Sequence, residues 1–260
     1  MQITVVECDW GGSRTTDIGA LLADVACHLF RPFRILPTGS ILVEATNCPD
    51  DSPKVLFRSS TRDPFRIQLS ARGTHWSQFA FQFSHELCHV LSDYERLRVS
   101  QNRWFHESLC ELASIFTIRR MAEIWPVRPP FPNWAGYANS LTSYAADRVA
   151  IAKRQVPAGV ALSTWIQSEE ESLRANCIQR HKNLAVAYSL LPIFEREPAV
   201  WNAIRRLPES SAMFKEYLLE WFESVEPTDK PMLSLVLDAL NLPDYALSPK
   251  AVDALIRAAE

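Results

Sequence analysis

The chain predicts an α+β fold. Strand-like segments lie before residue 71, stretches with apolar residues at three- and four-residue steps fill most of the rest, and a proline-rich run from Pro126 to Pro132 divides the two regimes. A content of 47% hydrophobic and 10% aromatic residues over 260 positions is enough for a sizeable packed core.

Taken in order, Ile3-Thr4-Val5-Val6 opens a short strand and residues 17–30 read as an amphipathic helix. Residues 41–45 and 55–57 are β-rich, and Phe65-Arg66-Ile67-Gln68-Leu69 alternates apolar and polar with period two. After Gly73, residues 76–92 carry Ala80, Phe83, Leu87, Val90 and Leu91 at helical spacing without Gly or Pro. Residues 103–124 repeat the pattern with Phe105, Leu109, Leu112, Ala113 and Phe116 as an apolar stripe, ended by Pro126. Further helices are predicted over 134–154, 162–175, 177–196, 199–206, 211–223, 232–240 and 248–259. The expected organisation is a small β-containing lobe over 1–125 and an all-helical lobe over 126–260 that closes a cleft between them.

Charge and cysteine use narrow the function classes. A net charge of −3, with no basic tract, favours neither nucleic acid nor an anionic membrane as partner. No run of eighteen apolar residues could span a bilayer, and the first residues lack the basic and apolar regions of a secretory signal. Six cysteines without a C-x-x-C pair argue against a disulfide framework and for a reducing, cytoplasmic home. Oligomeric state leaves no trace in the sequence.

The chemistry is concentrated in two blocks. His85-Glu86-Leu87-Cys88-His89 matches H-E-x-x-H, in which two imidazoles four apart on one helix face bind a metal and the intervening glutamate works on its water. Eighteen residues after His89 comes Glu107, with Glu111 one turn further on. A catalytic zinc needs three protein ligands and one open position, so Glu107 from a second helix would complete a His2Glu site. Two carboxylates at i and i+4 repel, and a nearby cation reverses that.

These residues resemble the gluzincin-type zinc metallopeptidases, the class of thermolysin-like enzymes and aminopeptidases. The resemblance covers about residues 65–120. It implies a zincin-like fold and Zn2+, with His85, His89 and Glu107 as ligands, Glu86 as general base, and Glu111 holding a zinc histidine by its other ring nitrogen. Trp104-Phe105-His106-Glu107 is similar to the W-x-N-E form of the motif, with His106 where Asn is usual. The resemblance also implies that residues 65–70 form the cleft edge, to which extended substrate adds by backbone pairing, while the residues alone fit an ordinary internal strand equally well. A Tyr or His from the later helical region would stabilise the oxyanion: His181 lines up best and Tyr188 second, with Tyr137 and Tyr144 also available.

The implied activity is hydrolysis of a peptide or protein substrate. In such a site zinc lowers the pKa of bound water to about 7, and Glu86 takes its proton and delivers it to the leaving amine. Two other readings use the same residues: a metallopeptidase-like binding or regulatory protein without turnover, and a zinc hydrolase of a non-peptide amide or ester. Glu95 is the competing third ligand, at the last position of the metzincin motif, but Ser92 replaces the glycine that motif needs. Cys88 and Cys110 read as small core hydrophobes, and His28, His75 and His106 as structural or surface residues, with His106, beside the ligand, also placed to reach substrate.

Overall fold

The computed structural model describes residues 1–242. Four strands, β1 (Gln2–Val5), β2 (Ser40–Ala45), β3 (Lys54–Leu56) and β4 (Phe65–Leu69), form one sheet in the order β1-β2-β4-β3. The first three in that order run parallel and β3 is antiparallel to β4, with Val55 opposite Ile67. α1 (Thr15–Phe30) connects β1 to β2, and its buried face of Ile18, Leu21, Leu22, Val25 and Leu29 matches the predicted amphipathic stripe.

Among the described residues everything after β4 is helical: α2 (Trp76–Leu91), α3 (Arg103–Ile124), α4 (Ala138–Lys153), α5 (Leu162–Ala175), α6 (Arg180–Arg196), α7 (Phe214–Ser224) and α8 (Lys230–Ala239). The segment predicted as one helix over 134–154 divides into a short 3-10 turn, Pro132–Tyr137, and α4, and the predicted 199–206 helix is likewise 3-10, Pro198–Arg206. The helix predicted over 248–259 lies outside the described residues. No described helix is long and apolar enough to cross a membrane.

Two expectations are decided. Of the two readings of residues 65–70 the internal strand is the one found, and not the cleft edge: β4 pairs with β2 on one side and β3 on the other, so both its backbone edges are spent. The sheet's edge strands are β1 and, next to β4, β3. Second, α3 is buried around most of its circumference instead of along one stripe, because α2 packs on one side and α4 and α6 on the others. One hydrophobic cluster runs from Trp10 through α2 and α3 to Leu237 of α8, so the β-containing and all-helical parts share a core across residue 126. Among the largest buried side chains are Trp104, Phe105, Trp201 and Trp221, with Phe105 edge-on to Trp221 at 5.7 Å.

Two devices set the position of α2. Gln82 accepts from the amides of Ser70 and Ala71 at 3.0 Å each and donates to Ser70 Oγ at 2.8 Å, which ties the middle of α2 to the end of β4. Its start is held by Gly73, whose amide donates to Trp10 O at 2.8 Å; Gly11 lies so close that a Cβ there would meet Gly73 N at 2.9 Å. With φ near +60° at both positions a side chain would be strained at either, and at Gly11 there is no space for one as well.

Candidate active site

α2 and α3 bring the two motif blocks together. His85 Nε2 lies 3.2 Å and His89 Nε2 3.7 Å from the same atom, Glu107 Oε2. Two tetrahedral ligand atoms each about 2.0–2.2 Å from a zinc ion are roughly 3.3–3.5 Å apart, so these separations suit a shared ion. On the other side of the His85 ring, Nδ1 is 3.7 Å from Glu111 Oε1, where the resemblance puts the supporting acid. Glu111 Oε2 is buried and without a hydrogen-bond partner, and Glu86, 3% exposed, lines the same cavity of about 220 Å³. Among the described residues, the orphaned oxygen of Glu111 and the carboxylate of Glu107 face the two imidazoles with no other polar partner between them. The donor set fits a divalent cation.

Among the described residues, the group of three possible metal donors whose ligand atoms all lie within 4.8 Å of one another is His85, His89 and Cys110. Cys110 Sγ meets His89 at Nδ1, at 3.4 Å, the ring nitrogen opposite the one that faces Glu107. Burial and the neighbouring Cys88 push the Cys110 thiol well up, whereas a ligand must be a thiolate. Glu107 is ionised already. With the His89 proton on Nδ1 and donated to Sγ, Nε2 is left free to ligate, and Cys110 orients the ring from behind.

Electrostatics within the cluster are uneven. Burial lowers His85, but its hydrogen bond to Glu107 and the charges of Glu111, Glu86 and Glu107 outweigh that and raise it to about 10. His89 is lowered to about 4, by burial first and then by the charge of His85, against the pull of Glu107. Burial pushes Glu107 up, yet His89 and His85 overcome it and hold the carboxylate well below its ordinary range. Burial dominates at Glu86, lifting it to about 7, and raises Glu111 as well. A glutamate near neutrality inside a cavity has the tuning of a general base.

His106 is not a surface residue. It is buried, edge-on to His89 at 4.7 Å, and its Nε2 lies 2.5 Å from Ser92 Oγ. Since the Ser92 hydroxyl donates to Cys88 O at 2.8 Å, His106 is the donor to Ser92. The end of α2 is closed by Asp93 at φ 60°, with Tyr94 N donating to His89 O at 3.1 Å and Asp93 N to Val90 O. This left-handed cap follows one residue after the glycine position of the metzincin motif and leaves Glu95 off the cavity wall, hydrogen-bonded to Arg58 at 2.8 and 3.2 Å.

Neither His181 nor Tyr188 comes to the cavity. α6 presents Arg180 and Asn183 there, and one residue of helix turns a side chain by about 100°, which leaves His181 exposed to solvent. Tyr188 is half-buried beneath Lys153, 5.5 Å from its ring. Tyr137 and Tyr144 line a separate groove with His75. Tyr94 does reach the wall, but its hydroxyl is engaged by Leu56 O of β3. Residues missed in the sequence are Arg103, Cys110 and Arg180. The first two were within reach, since Arg103, Glu107, Cys110 and Glu111 recur at helical steps on one face.

No protein-family model, curated protein or solved structure matches the chain.

Proposed function

We propose that this chain is a zinc-dependent metallopeptidase of zincin-like fold, acting on a peptide or protein substrate in the cytoplasm. The observation that carries the reading is the meeting of both Nε2 atoms, at 3.2 and 3.7 Å, on a single oxygen of Glu107. It is supported by the sheet with its antiparallel edge strand beside α2, and by six free cysteines, which suit a reducing compartment.

Zinc bound there would supply a water of lowered pKa and a Lewis acid for the substrate carbonyl. The protein's own groups do the rest. Glu86 accepts the proton of the attacking water and returns it to the leaving amine. Glu111, 3.7 Å from His85 Nδ1, and Cys110, 3.4 Å from His89 Nδ1, stand behind the two rings, where each would orient a ligating imidazole. The edge strand β3 meets the cluster directly: Lys54 and Val55 line the cavity, the Val55 backbone supports Glu86 and Leu56 O holds the Tyr94 hydroxyl. Glu86 favours an enzyme over an inactive binding protein, since a metal held for structure alone needs no buried carboxylate at that place.

The test is metal analysis of the purified chain beside Glu86→Gln and Glu107→Ala on a peptide library. Expected are about one zinc per chain, retained by Glu86→Gln with hydrolysis down roughly 10²–10⁴-fold, and lost from Glu107→Ala. Full hydrolysis by Glu86→Gln would remove the assigned base, and undiminished metal in Glu107→Ala the assigned ligand.

A further inference from the structure

Four cationic side chains, Lys54, Arg98, Arg103 and Arg180, line the cavity around the ligand cluster. Among the described residues none of them makes an ion pair, whereas Arg58 close by is fully engaged by Glu95. The concentration is local, because the chain as a whole is net negative at −3. Two of the four come from the first turns of helices, Arg180 from α6 and Arg103 from α3. Arg180, at the start of α6, bridges the cavity to Ser52 Oγ at 3.2 Å, and its charge is felt at Glu86 and Glu111, drawing both down against their burial. Arg103, at the start of α3, lies where its charge disfavours protonation of His89 and His106. Lys54 on β3 and the exposed Arg98, stacked over Phe57 at 4.9 Å, carry the same sign out to the rim.

Guanidinium groups without a carboxylate partner, at the wall of a partly enclosed cavity, are built to receive a planar anion through paired hydrogen bonds. We infer that the cavity selects a peptide carrying a carboxylate beside the bond to be cut, held by Arg180 or Arg103. This rests on the hydrolase reading for the bond but not for the binding. The carboxylate could belong to an aspartate or glutamate side chain or to the end of the peptide, and the two sources are separable.

The experiment is selection of binders from a randomised peptide library by the full-length Glu86→Gln chain supplied with zinc, with C-terminally amidated and free-acid libraries run in parallel. Side-chain recognition enriches Asp and Glu over Asn and Gln about ten-fold at one position of the amidated library. Recognition of the chain end instead favours the free-acid library by a similar factor. Either preference should fall at least three-fold in Arg180→Gln or Arg103→Gln, and should weaken for the parent Glu86→Gln chain as salt is raised. The salt series needs no further substitution, so it holds even where an arginine variant folds poorly. Selection without an acidic preference, or no selection at all, overturns the inference. Hydrolysis of selected and unselected peptides by the natural chain is scored separately: cleavage without acidic preference leaves the peptidase reading standing alone, and acidic binding without cleavage does the reverse.

Discussion

Adding zinc to the metal-free chain at pH 7 should expel protons, and the number follows from the cluster. His85, raised to about 10 by its hydrogen bond to Glu107 and the carboxylates around it, carries a proton at pH 7. His89, lowered to about 4, does not, and Glu107 is already ionised. An imidazole binds metal only through a free lone pair, so each ion must displace the His85 proton. Glu86, near 7 in the metal-free state, is about half protonated and is drawn down by an adjacent cation, adding roughly half a proton more. Between one and two protons should therefore leave per ion, and zinc affinity should rise roughly 10- to 100-fold per pH unit between about pH 6 and 8. The sign is fixed: a group whose pKa is raised in the metal-free state opposes binding at low pH and ceases to do so as pH climbs through that value. Calorimetric titration in two buffers of different protonation heat gives the number as a slope. A slope of zero would mean that His85 is neutral before the metal arrives and that the Glu107–His85–Glu111 arrangement does not hold in solution.

Other outcomes follow from neighbouring contacts. Cys110→Ala should keep zinc at near-stoichiometric occupancy, since Sγ touches the rear nitrogen of His89; loss of most of the metal on direct analysis would move the cysteine into the ligand set. Glu111→Gln should weaken zinc roughly 10- to 100-fold in a competition titration with a chelator, and an unchanged constant would end its role behind His85. Asn183, buried, donates to Trp104 O at 2.8 Å and Ser108 Oγ at 3.2 Å, and because Ser108 Oγ also donates to Trp104 O those groups keep a partner, so Asn183→Ala should cost about 1 kcal/mol in denaturant unfolding through the lost bonds alone. Asp93→Val should cost about 1–2 kcal/mol because a β-branched residue is forced to φ 60°, while Asp93→Gly should match or exceed the parent in thermal unfolding; equal stability of the two variants would contradict the left-handed cap.

The helices that matter most were legible because their signal is local. α2 begins at Trp76 and α3 spans Arg103–Ile124 as the apolar spacing indicates, and the two histidines and Glu107 follow from spacing and helical phase. The surroundings of α3 were not, because its polar residues disguise a core helix: Ser108 and Ser114 donate to the carbonyls of Trp104 and Cys110 one turn back, so their hydroxyls are satisfied without water. Strand order was hidden for a different reason. Whether residues 65–69 or 54–56 lie at the edge depends on pairing between distant segments, and β3 is only three residues long. The approach of α6 shows how narrow the margin is at a helix, where a step of one residue separates Arg180 in the cavity from His181 outside it.

A final consequence attaches to the covering of α3 by α6. As the polypeptide leaves the ribosome, both imidazoles and Glu107 emerge well before Asn183, Leu184 and the rest of the helix that shields them from behind. A nascent chain released only as far as Trp125 holds every proposed ligand yet lacks the packing that fixes their spacing. The spacing of the candidate ligands is therefore complete only once α6 has been made and packed on α3, so a chain cut short before Arg180 lacks the helix against which the Glu107 helix is set.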